Sequence, residues 1–195
     1  MAVSGRVHDR AALDALEAID PVLFEGEVWR ITRKGRDATR GSAAYGRWSP
    51  GALFEVLYTS LEREGALAEI GYRLSLEPVW PSRLAHELHQ IAARVDRALK
   101  FADIASLAPL GVDAARYESF DYAATQAIAA AARFLEFDGL MVPSARHRSA
   151  NLVVFMDRPG AASLGVRSTR DVDWTAWRNG AGPVRSPGGP EKVFR

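Results

Sequence analysis

Two rhythms of apolar residues run along this chain. Leu13, Leu16 and Ile19 recur at helical spacing within residues 9–19, with Asp9 placed to cap and Pro21 to stop, so a short amphipathic helix is predicted as a cover. Glu27 to Thr32 alternates instead, as a strand does, setting Val28, Arg30 and Thr32 on one face and Trp29 and Ile31 on the other. If the Arg30 face turns inward, its guanidinium must find an anion or a ligand, because an unpaired buried charge is costly. Leu53 to Tyr58 reads as a second strand. Thr59 with Glu62 three residues later makes a capping-box signature, and Leu61, Leu67, Ala68 and Ile70 give the following helix an apolar surface to about Gly71, with Glu69 in its last part.

Further along, Leu84, Leu88, Ile91, Val95 and Leu99 fall at helical spacing, while Ile91, Ala93 and Val95 also alternate; pattern alone favours helix over residues 82–101. Ile104 to Leu110 suggests a short helix ended by Gly111, and the alanine-rich run Asp121 to Leu135 a longer one. Leu140 to Val142 and Asn151 to Met156 read as strands flanking a polar loop, Pro143 to Ser149. Arg33 to Ser49 is polar, basic and punctuated by glycine, a long loop of the kind that often binds. Beyond Asp157 the pattern turns irregular, with a Trp174/Trp177 pair and a Gly/Pro-rich run over residues 180–190.

Composition narrows the classes. With 195 residues the chain suits one medium domain, and 25 basic against 24 acidic residues leave a net charge of +1, too little to recruit nucleic acid or an anionic membrane through an overall field. Only Lys34, Lys100 and Lys192 among the basic residues are lysines, and the arginine fork suits phosphate and carboxylate. There is no cysteine, which removes disulfides, thiol catalysis and thiolate metal sites. The first twenty residues lack the pattern of a signal peptide and no apolar run is long enough to span a bilayer, so a soluble, cytoplasmic protein is expected.

Candidate chemistry is sparse. His86-Glu87-Leu88-His89 sets its histidines one residue too close for a zinc-binding helix face, and no metal is expected. Neither a phosphate loop ending in Lys-Ser/Thr nor a Gly-x-Ser-x-Gly elbow occurs. What remains is Arg30, Arg47, Tyr58, Glu69, Ser144 and Asn151, each with an ordinary reading as ion pair, packer or turn former.

Taken together, Trp29-Arg30, Gly46-Arg47-Trp48, Leu57-Tyr58, Ala66-Leu67-Ala68-Glu69, Thr125 to Ala129, Asp138-Gly139-Leu140, Pro143 to Arg146 and Asn151 to Phe155 resemble, in order and approximate spacing, the RES-domain toxins of bacterial toxin–antitoxin pairs. The likeness covers roughly residues 27–156, which would make 1–26 an N-terminal helical cover, 27–156 the catalytic domain and 157–195 an irregular extension. The family usually has two glycines before the arginine and an asparagine after the tryptophan, where this chain has Tyr45-Gly46 and Ser49. The resemblance implies an α+β fold like that of ADP-ribosyltransferases, with split sheets around a cleft for NAD, and it favours strand over residues 86–101. It also implies NAD as substrate rather than cofactor, a catalytic triad on Arg30, Tyr58 and Glu69, and substrate contacts from Arg47, Ser144 and Asn151. An antitoxin partner with a helix-turn-helix DNA-binding part is implied as well.

Cleaving the nicotinamide–ribose bond passes through an oxocarbenium-like state, for which a carboxylate, an aromatic platform and an arginine are fitting groups. The reading is an NAD-degrading enzyme, a glycohydrolase or phosphorylase, with water or phosphate as acceptor. An ADP-ribosyltransferase that modifies a protein or metabolite is the near alternative, and a non-catalytic nucleic-acid-binding module using residues 33–47 is the distant one.

Overall fold

The computed structural model describes residues 8–180 apart from 82, 159 and 161. In chain order it has α1 (Arg10–Glu17), β1 (Val22–Arg33), β2 (Val56–Ser60), α2 (Arg63–Ser75), β3 (His86–Lys100), two 3₁₀ helices (Ala105–Leu110 and Ala114–Arg116), α3 (Ala123–Phe134), β4 (Gly139–Pro143), β5 (Ala150–Phe155), β6 (Ala162–Asp171) and α4 (Trp174–Gly180). The class is α+β.

The six strands form two leaves. β1 pairs with β3 over the whole length of β1, and β6 flanks β3 on its other edge, both antiparallel. β2, β5 and β4 make the second leaf, also antiparallel. Two narrow joints connect them: the single pair Trp29↔Ser60, and a short parallel run that sets Ala98, Leu99 and Lys100 beside Gly139, Leu140 and Met141. The circuit β1, β2, β5, β4, β3 is thereby closed into one connected sheet that is thinnest where the leaves meet.

Strand alternation sorts side chains into separate cores. Leu57, Leu152 and Val154 of the second leaf pack with Val28, Ile91 and Val95 of the first. Their neighbours Val56, Val153 and Phe155 face the other way, onto α1, α3 and the 3₁₀ segment. A third cluster joins Ile31 and Leu88 to Ala66, Leu67 and Leu74 of α2 and to Trp174 of α4. α3 carries five buried small or apolar residues on successive positions from Ile128 to Ala132, so its alanines let it lie close to the sheet.

Several expectations are corrected. Residues 86–100 are a strand, as the family resemblance implied and the periodicity did not: β3 is the central strand of its leaf, and its buried side switches after Leu88, with His86 and Leu88 buried toward α2 and α4 and then His89, Ile91, Ala93 and Val95 alternating with partly or fully exposed Gln90, Ala92, Arg94 and Asp96, so the buried positions taken together imitate helical spacing. α2 begins after Glu62, not Thr59, whose hydroxyl donates to Leu152 O at 2.9 Å inside the sheet. β1 starts at Val22, so the end of the segment expected as a helical cover is strand. Residues 162–180 are regular, containing β6 and α4, so the expected irregular extension from 157 is not irregular over that stretch. The run over 181–190 lies outside the described residues. No described helix is long and apolar enough to cross a membrane.

Candidate active site

Glu69 is presented by the middle of α2, not the last part that the sequence suggested, toward the ends of β4 and β5. Ser144 Oγ donates to Glu69 Oε1 at 2.6 Å and Asn151 Nδ2 to the same oxygen at 3.1 Å. Loading one oxygen orients the carboxylate and leaves Oε2 without a hydrogen-bond donor among the described residues. Ser144 is itself positioned: its Oγ accepts from the backbone N–H groups of Arg146 (3.1 Å) and His147 (3.2 Å), so the turn after β4 aims the hydroxyl proton at Glu69. On α2, Gly65 packs against Ser60 Oγ and Ser149 Oγ so closely that a Cβ there would collide with both, and this close approach sets the depth of the helix.

The Gly46-Arg47-Trp48-Ser49 loop closes on itself through mutual backbone hydrogen bonds between Gly46 and Ser49. Helix α3 and strand β2 then fix it. Thr125 Oγ1 donates to Arg47 O at 2.6 Å, Gln126 Nε2 donates to Gly46 O and Ser49 O at 2.8 and 3.1 Å, and Trp48 N donates to Tyr58 OH at 2.8 Å. Trp48 anchors the loop from below, 2% exposed in the core under α3. Tyr58 therefore serves the loop with its hydroxyl, and burial pushes that hydroxyl's pKa upward, which keeps it protonated and rules it out as a base.

The Arg47 guanidinium emerges from this fixed loop between two phenol rings, 4.7 Å from the centre of Tyr117 and 4.9 Å from that of Tyr122, and donates to Ser119 O at 3.1 Å. Desolvation by burial lowers its pKa, while Tyr117, Tyr122 and Glu69 favour its charge. An arginine held by π-faces and a carbonyl, with no carboxylate at bonding distance among the described residues, is prepared to receive an anion.

Arg30 lies elsewhere. It shares a strand face with Val28, which packs against Leu57, and Tyr58 is the next residue and projects to the opposite face. Its Nη1 donates to Ala38 O and Arg40 O, both at 2.8 Å, so the charge that had to find a partner finds loop carbonyls and ties residues 36–40 over the end of the interior core. Of the six sequence candidates, the structure gathers Arg47, Tyr58, Glu69, Ser144 and Asn151 and leaves Arg30 apart. Sequence reasoning passed over Thr125 and Gln126 as clamps, Tyr117 and Tyr122 as walls around Arg47, and Arg146 as a second cation nearby. The polar Thr125-Gln126 pair at the head of an alanine-rich helix was the available signal for the first two.

No group of three or more His, Cys, Asp or Glu side chains suited to a metal occurs among the described residues. A groove of about 550 Å³ between α2 and β1, lined in part by Ile31, Arg33, Ile70, Arg73 and His86, lies next to the site but contains none of the gathered residues.

The family described as RES domain matches residues 27–176. The NAD(+) phosphorylase MbcT of Mycobacterium tuberculosis is 22% identical over 170 residues, covering 84% of this chain and 91% of the relative, and its Mycobacterium bovis counterpart matches equally. The crystal structure of the M. tuberculosis MbcT-MbcA toxin-antitoxin complex superposes with a TM-score of 0.73 at 22% identity, covering 88% of this chain and 97% of that one.

Proposed function

The chain belongs to the RES domain family, and from that premise we propose that it is the toxin of a toxin–antitoxin pair and cleaves the bond between nicotinamide and ribose in NAD, with inorganic phosphate as acceptor. The observation that carries this reading is the oriented carboxylate of Glu69, held on one oxygen by Ser144 and Asn151 beside a half-buried, anion-seeking Arg47. The relatives' name supplies phosphate as acceptor.

In the proposed reaction the carbon–nitrogen bond breaks with its electron pair passing to nicotinamide, which leaves neutral, and a phosphate oxygen forms the new bond to the ribose carbon. Positive charge grows on the ribose as the bond lengthens. The free oxygen of Glu69 stabilises that charge, an effect that is strong where water is excluded. Arg47 takes a phosphate group of the substrate, and the face of Tyr58 offers apolar contact to a ring while its hydroxyl holds the loop. Arg30 acts here as a support for the 36–40 segment.

Purified protein incubated with NAD and phosphate should release nicotinamide and a phosphorylated ADP-ribose, whereas free ADP-ribose would mark water as acceptor. Glu69→Gln keeps the shape and removes the charge, and nicotinamide release should fall about a hundredfold or more with the unfolding temperature maintained. Turnover within twofold of wild type would remove Glu69 from the proposed role. The partner is proposed to be an antitoxin with a helix-turn-helix DNA-binding part, which should co-purify with this chain when the neighbouring gene is co-expressed.

A further inference from the structure

The segment from Tyr117 to Tyr122, leading from the second 3₁₀ helix into α3, is gripped by two arginines from distant parts of the chain. Arg47 Nη2 donates to Ser119 O at 3.1 Å, and Arg146 Nη2 donates to the adjacent Glu118 O at 2.6 Å. Each cation is also walled by rings: Arg47 by Tyr117 and Tyr122, and Arg146 by Tyr72, whose ring centre lies 3.6 Å away, and by Phe120 at 5.9 Å. The Arg146 side chain is only 10% exposed, yet its nearest carboxylate, Glu118, is 4.0 Å off and 79% exposed. Two largely covered guanidiniums thus hold neutral carbonyls where charged partners would bind each more strongly. They are also near enough for the charge of Arg146 to oppose that of Arg47. Both stand beside Glu69, because the Arg146 backbone N–H donates to the Ser144 hydroxyl that orients the carboxylate.

We propose that Arg47 and Arg146 together form a diphosphate seat at the mouth of the site, with Arg146 as a specificity-determining residue that favours a dinucleotide over its phosphate-free nucleoside. This rests on the NAD-cleavage reading. The two carbonyls now held belong to neighbouring residues, whose Cα atoms are about 3.8 Å apart, so the two guanidiniums converge on one short stretch of backbone, a span on the scale of two phosphates that share a bridging oxygen. An anion between them replaces repulsion by attraction on both sides and frees the 117–122 segment from its two ties. A lone phosphate, as acceptor, would need only one of the two arginines.

Titration calorimetry with inorganic pyrophosphate, together with steady-state kinetics on NAD and nicotinamide riboside, tests the proposal. Arg146→Gln should weaken pyrophosphate binding about tenfold and reduce the preference for NAD over nicotinamide riboside by about the same factor, mainly through the KM for NAD. Arg146→Lys, which keeps the charge and can still reach Glu118 O, should fall between. It also provides a folded comparison if the glutamine variant is poorly recovered. Unchanged pyrophosphate affinity in both variants, or equal losses on the two substrates, would overturn the seat. So would a rise confined to the KM for inorganic phosphate, since that would make Arg146 an acceptor-binding group. A wild-type protein that binds pyrophosphate through Arg146 yet never cleaves NAD would instead refute the catalytic reading and leave the seat standing.

Discussion

Tyr58 shows how much a single atom can do at this site. Its hydroxyl oxygen accepts the Trp48 N–H at 2.8 Å, and Phe in its place would leave that partly buried donor unmatched at the base of the Arg47 loop. Tyr58→Phe should therefore cost about 1–3 kcal/mol, read as a lower urea midpoint with unchanged slope, and should reduce NAD turnover because Arg47 loses its fixed mount. An equal midpoint would show that water or a shifted loop satisfies Trp48 N. At this scale the sequence pointed to residues that the fold brings together, Tyr58, Glu69, Ser144 and Asn151 among them, and was poor about which arginine joins them. Arg30 and Arg47 look alike in a row of letters; what separates them is strand parity, which turns Arg30 toward Val28 and away from Tyr58. The roles of Tyr117, Tyr122 and Arg146 were hidden for a related reason. Their meeting depends on how the 117–122 segment lies over the turn after β4, and no local pattern encodes that.

Among the elements, the legible ones were those with one wet face or a distinctive composition. α1 starts at its Asp9 cap as expected, with Asp9 Oδ1 accepting from Ala11 N, and the alanine run became α3. β3 and β6 were not legible, for different reasons: the buried side of β3 switches after Leu88, so its buried residues do not follow one alternating pattern, while β6 buries so little that Ala162 and Leu164 are its chief apolar contacts and its edge is rich in charge. The seam between β4 and β5 is tighter than either. A Cβ on Gly139 would lie 2.6 Å from Val153 O, a backbone atom of the neighbouring strand that cannot turn aside. Gly139→Ala should destabilise the fold by about 1–3 kcal/mol, measured by thermal unfolding, although alanine ordinarily favours regular structure over glycine. A variant as stable as wild type would mean that the strands separate there at little cost.

Across the whole molecule, α4 and the strand before it are held against the sheet by a contact that depends on protonation. Trp174 Nε1, which can only donate, meets His86 Nδ1 at 3.1 Å, so that nitrogen must be bare. Burial lowers the pKa of His86 below its ordinary 6.5, and burial likewise lowers that of His89, which lies between Thr32 and Thr169. A depressed histidine pKa means that the unfolded chain binds more protons as pH falls, so the stability these groups contribute is complete above about 6.5 and is lost below it. Denaturant midpoints should decline on acidification through that range, and His86→Gln should flatten the decline. A midpoint that rose on acidification would contradict the assignment.

The distances in sequence between the site's parts have a consequence for how the protein is made. Glu69 leaves the ribosome early, but the amide that holds it belongs to Asn151, 82 residues later. β2 likewise waits for β5 before it has a full partner. At roughly 5–20 residues per second, translation keeps the Glu69 carboxylate without its two donors for several seconds. The order of synthesis thus acts as a timer on the assembly of the site.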